Sequence, residues 1–183
     1  VTDDEDIPAD PSTLIRLGTI VSLTLDPPRC VVRYGDPETD EDCETPPIRW
    51  LAGRAGKTRN WSPPSDGEEV VLLSPDGQIG NAVALLGLNN DNAPPPGNTL
   101  AEVVEYEDGA RIGYDPESHA LTAILPAGAT AAIEAPGGLT IRGDVKIDGK
   151  LTASGDVVGG GKSLRGHVHG GVQPGQSMTG VAE

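Results

Sequence analysis

Phenylalanine is absent from this chain of 183 residues, and aromatic residues together make up only 3% of it. A broad single-chain core built on large side chains is therefore not expected, because such cores draw much of their buried area from aromatic rings. Positive charge is also scarce, with 13 Lys and Arg against 28 Asp and Glu and a net charge of -15. A grip on nucleic acid needs a clustered positive face that displaces counterions, so the balance argues against that class and against electrostatic docking on anionic lipid. No apolar run approaches the roughly 20 residues of a membrane-spanning helix. The opening VTDDEDIPADPST is acidic, where a secretory leader is basic and then apolar, so the chain is expected to be made in the cytoplasm without a signal peptide. There are only two cysteines, Cys30 and Cys43. Without further ligand-spaced partners they make no zinc site, and they read as reduced thiols.

What the chain has in quantity is glycine, 25 residues, and proline, 17 residues. Low aromatic content with high net charge is a disorder-like balance, but the apolar residues are patterned. After an acidic arm over residues 1–12, Leu17 to Leu25 alternates, is rich in β-branched residues and stops at Asp26-Pro27-Pro28, as a strand does. Further strands are expected at Cys30–Tyr34, Ile48–Leu51, Glu69–Leu73 and Gly80–Leu88, with Ser74-Pro75-Asp76-Gly77 as a tight turn. Five short strands and no helical stripe predict a small OB-fold-like barrel over residues 13–92. Three consecutive prolines in Asn89–Asn98 then mark a stiff linker. A hairpin about Asp108-Gly109 completes a linker and neck over residues 93–120.

Written in sixes from Leu139, the sequence reads LTIRGD, VKIDGK, LTASGD, VVGGGK, and the frame extends backwards more weakly through IEAPGG, AGATAA and LTAILP. A fixed short period marks a β-helical solenoid, placed at residues 121–162. The first and third places of each hexad share one side of an extended strand and form an apolar stripe, while the charged places face away. Gly at the fifth place supplies the corner. Seven hexads wound by one chain, three to a coil, make little more than two coils, too few to offset their ordering entropy. Three chains wound about one axis would bury every stripe, so the expected fold is all-β with an intertwined triple-stranded β-helix, as a homotrimer. Small residues such as Ala153 and Gly159 imply a taper towards the C-terminal end.

Residues 163–183 are read as an apex domain, and they contain His167-Val168-His169 between glycines. In extended backbone the two imidazoles share a side. Alone, such a triplet more often marks two solvated histidines. Threefold symmetry would bring six imidazoles into two stacked triangles, which suits a six-coordinate first-row ion such as iron or nickel better than zinc. Ligation requires neutral imidazole, so such a site loosens in acid. His119 reads as an exposed loop residue, and Trp50 and Trp61 as barrel or intersubunit packing.

These features together resemble baseplate assembly protein V, the central spike of contractile-tailed bacteriophages and R-type pyocins. The resemblance covers nearly the whole chain. It is carried by LGTIVSL, RWLAGRAG and WSPPSDGEEVVLLSPDGQIGNAVALLGLNN in the barrel, and most specifically by GHVHGG of residues 166–171 followed by QPG. It implies a homotrimer joined to tail tube and baseplate hub proteins through the N-terminal barrel, carried in a phage tail or pyocin particle. That particle perforates the outer membrane of a target bacterium mechanically, so the chain is not an enzyme. It also implies one iron ion per trimer, held by His167 and His169 of each chain, and no nucleic-acid partner. The rival from the enzyme class is a trimeric hexapeptide-repeat acyltransferase. The repeat region here is short for one, and the histidine pair lies beyond the repeat instead of within the coil.

Overall fold

In the computed structural model, residues 11–35, 43–168, 170, 171 and 175 are described. The chain divides into two compact units, Val1–Thr130 and Ala131–Glu183.

Among the described residues the first unit opens with a single helical turn, α1 (Pro11–Leu14), which runs directly into β1 (Ile15–Leu25). β2 (Pro28–Tyr34), β3 (Cys43–Glu44), β4 (Arg49–Trp50), β5 (Glu69–Leu73) and β6 (Val83–Leu88) follow. They form one six-stranded sheet in the order β3-β2-β1-β5-β6-β4. Ile48, one residue before β4, exchanges two 2.9 Å backbone hydrogen bonds with Cys30 of β2, while Arg49 and Trp50 pair with β6. The sheet thereby curls until the segment entering β4 bonds back onto β2, the OB-like architecture expected from five short strands. Closure leaves fewer open edges to be covered.

Alternation explains the core. In β5, Val70 and Leu72 point inward and are fully buried, while Glu69, Val71 and Leu73 lie on the other face. They pack with Ile20, Cys30, Val32, Ile48, Ala82 and Ala84. The core is built from medium and small side chains, in keeping with the lack of aromatics. Thr45 is buried too, and its Oγ1 accepts a 3.0 Å hydrogen bond from Val32 N–H. The strand expected from Gly80 starts only at Val83, because Pro75–Gly77 and Ile79–Asn81 form short 3-10 turns in which Asp76 has a positive φ.

After the proline-rich segment come β7 (Glu102–Glu105), β8 (Arg111–Asp115) and β9 (Ala120–Ile124), a three-stranded antiparallel sheet. The expected turn at Asp108-Gly109 is present, with Gly109 N–H donating to Tyr106 O at 2.9 Å and Ala110 N–H to Asp108 Oδ1 at 3.0 Å. β9 takes in the start of the hexad frame. LTAI was counted in the first hexad, yet Leu121 to Ile124 pair residue by residue with Tyr114 to Arg111. The Asp115 carboxylate accepts from Glu117 N–H and Ser118 Oγ–H, closing a turn that reverses the chain onto β8.

In the second unit, residues 131–157 are exposed and belong to no strand or helix. Among the described residues, the one backbone-to-backbone hydrogen bond made between residues 131 and 156 is the turn from Gly138 N–H to Ala135 O, 2.8 Å. The expected corner glycines Gly143 and Gly149 have φ of 126° and 142°, in the region that disfavours a side chain. VVGGGK, written above as the last hexad, folds instead as a hairpin between β10 (Val158–Gly159) and β11 (Lys162–Ser163). Gly160 and Gly161 both have positive φ at its tip, the requirement of the tight two-residue turn that matches strand twist. Among the described residues, no helix is long and apolar enough to cross a membrane.

Candidate metal centre

The hairpin delivers the chain to the histidine motif, and the link between them is one closed turn. Leu164 N–H donates to Val157 O at 2.8 Å, carrying the hairpin ladder one step further. Ser163 then acts as a cap. Its Oγ accepts from Gly166 N–H at 2.7 Å, and its carbonyl accepts from His167 N–H at 3.1 Å. A serine hydroxyl that accepts from the amide three residues on satisfies a donor the turn would otherwise leave unpaired.

Asp156 holds the same turn from the other side of the hairpin. Its Oδ1 accepts from Arg165 N–H at 3.0 Å. Its carboxylate also takes the Ser163 hydroxyl, the first cause that holds the Asp156 carboxyl below the usual aspartate range, with the Arg165 amide second. A carboxylate that accepts hydrogen bonds is stabilised in its charged form.

The consequence falls on the imidazole. His167 Nδ1 lies 3.0 Å from the carbonyl oxygen of Leu164. A carbonyl can only accept, so Nδ1 carries the hydrogen and, in the neutral ring, Nε2 is the lone-pair nitrogen. A ligating histidine characteristically gives its other N–H to a carbonyl or carboxylate in this way, which fixes ring orientation and tautomer. His167 is thus disposed for ligation through Nε2.

His169, the second expected ligand, lies outside the described residues. Among the described residues of one chain, no group of three or more His, Cys, Asp and Glu is placed to hold a metal ion. Any ion at this motif therefore needs donors beyond those that one chain's described residues assemble. His119 sits exposed in the β8–β9 turn with φ of 55°. Cys30 is buried and Cys43 exposed, both as free thiols, and burial raises the Cys30 thiol above its ordinary range. Trp50 and Trp61 stack at a tilt, 5.8 Å between ring centres, a packing contact that spans the β4–β5 connection. Asp156 and Ser163 escaped the sequence reading, where Asp156 was an outward charge of a hexad. The signal was present in two glycines fit for a tight turn, with an acid before them and Ser-x-x-Gly after.

Residues 16–88 match the family described as the type VI secretion system/phage-baseplate injector OB domain, and residues 163–183 match the GpV apex motif. The spike protein of Escherichia phage P2 is 38% identical over 128 residues, covering 69% of this chain and 57% of that protein. The chain thus spans little more than half the length of that relative. These likenesses point to a structural spike protein and not to an enzyme.

Proposed function

Because this chain belongs to the phage baseplate and central-spike family, we propose that it is the membrane-piercing tip of a contractile injection machine. It works as a homotrimer that perforates a target outer membrane mechanically, in a phage tail or a pyocin-like particle. The observation that carries this is the state of residues 131–157 in the single chain. The large apolar residues at the hexad positions meant to face inward remain open, from 42% exposed at Val157 to 78% at Ile133. Between residues 131 and 156 the turn at Ala135–Gly138 is the one backbone-to-backbone hydrogen bond among the described residues. Extended chain with unpaired backbone and an exposed apolar stripe is not a stable end state. A recess of about 460 Å³ lined by Leu151, Ala153, Val157 and Leu164 is open in the same region.

Three such chains winding about one axis would satisfy both demands at once. A hexapeptide-repeat acyltransferase would stack residues about 18 apart within its own chain, by the three-hexad coil of that architecture. No such pairing occurs among the described residues of this segment. In this reading residues 1–12 are an arm, 13–92 the barrel that joins tube and hub proteins, and 93–120 the linker and neck. Residues 121–162 carry the shaft and residues 163–183 the apex. Contraction of the sheath supplies the work, and the spike contributes stiffness and a narrow section.

At the apex, His167 and His169 of three chains would hold one iron ion, and His167 fits that role through the anchoring of its Nδ1 on Leu164. The bound ion supplies coordination bonds that cross-link three chains where the section is too narrow for an apolar core. Light scattering on the full chain tests the reading. Three chain masses and one metal per particle are expected, while a stable folded monomer would overturn it.

A further inference from the structure

The Asp156–Ser163 pair lies outside any expected ligand set, yet it converges on the turn that carries His167. Hydrogen bonds tie this turn down at every step. Asp156 takes the Arg165 amide and the Ser163 hydroxyl. Ser163 takes the Gly166 amide on its hydroxyl and the His167 amide on its carbonyl. With the backbone so held, the Leu164 carbonyl stands where His167 Nδ1–H must donate to it. We infer that Asp156 and Ser163 are positioning residues for the apex metal, holding the Ser163–His167 turn so that the Leu164 carbonyl keeps the proton on Nδ1 and His167 presents Nε2 to the ion.

This rests on the metal reading given above and adds to it. The two histidines would supply bonds, while an exposed carboxylate and a serine at the base of the turn set how tightly those bonds hold. Ordering the turn before the ion arrives means that less conformational freedom is lost on binding. Partners of this kind behind a ligating histidine typically alter metal affinity by about 10- to 100-fold. Asp156 is seven residues ahead of Ser163 in sequence, and only the β10–β11 hairpin brings them together.

The test uses the purified full-length particle carrying its native metal, dialysed against increasing EDTA, with retained metal measured by elemental analysis and particle mass by light scattering. Ser163→Ala and Asp156→Ala should each release metal at chelator activities about 10-fold or more lower than the unmodified protein. Both should keep the particle mass. Ser163→Thr, which retains the hydroxyl, should hold metal like the unmodified protein, a rescue that a mere packing role for the side chain would not predict. If both alanine variants retain metal like the unmodified protein, the positioning role is wrong and the histidine site stands. Release from Ser163→Thr as easy as from Ser163→Ala overturns the role of the hydroxyl. An unmodified particle that contains no metal removes the site itself, and this inference with it.

Discussion

Replacing Ile147 by Ala probes the shared interior directly, and its magnitude follows from the single chain. Ile147 occupies the third place of the VKIDGK hexad and is 52% exposed. The substitution removes three carbons, about 2.4 kcal/mol for complete burial at about 0.8 kcal/mol each. About half of the residue is already covered within its own chain, so partner chains account for about 1.2 kcal/mol per copy. Threefold symmetry repeats the loss, giving about 3.6 kcal/mol per particle, or a few hundred-fold in the association constant. Lys146→Ala, one residue earlier on the opposite side, is the control and should change the constant little. The assay is light scattering over a dilution series in moderate denaturant, where association is measurable. Ile147→Ala should dissociate at higher protein concentration than the control. If both variants dissociate over the same range as the unmodified chain, the inward stripe is not an interface and the shaft reasoning fails.

Replacing both His167 and His169 by Ala should abolish bound metal while leaving the particle mass unchanged, as read by elemental analysis and light scattering. In the barrel, Leu72 is fully buried, so Leu72→Ala should cost about 2–5 kcal/mol and lower the barrel's melting temperature in calorimetry. A maleimide probe should label Cys43 and spare Cys30 in the folded protein, since Cys30 is buried and its thiol is held protonated by that burial. Asp156 has a lowered folded-state pKa, so its contribution is complete above the ordinary aspartate value near 3.9 and is lost as pH falls through the lowered one. NMR titration should place its carboxyl midpoint below that of ordinary aspartates, and Ser163→Ala should move it back upwards, because the Ser163 hydroxyl is the first cause of the shift.

The strand pattern of the barrel was legible because β-structure leaves a period of two in the sequence, and Val70 and Leu72 show it cleanly. The barrel's closure was not. Ile48 bonding Cys30 while its neighbours Arg49 and Trp50 bond β6 is a long-range pairing that no local pattern encodes. The hexads were legible by the same periodicity, while the strand pairing at both ends of the frame was not. LTAI alternates as well as any hexad, and only its pairing with β8 shows that it closes a sheet. VVGGGK keeps the glycine and the charge of the frame, and two adjacent glycines at positive φ turn it into a hairpin.

At the tip, the sequence alone determined the chemistry on offer, two imidazoles two residues apart among glycines. It also determined the thin apolar stripes and their six-residue period, since apolar content and period are properties of the string of residues. Which nitrogen of His167 bears the proton, and that Asp156 and Ser163 stand behind it, was decided only by tertiary structure. Hydrogen bonds act over about 3 Å, and residues 156 and 165 come within that reach only after the glycine turn has folded the chain back on itself.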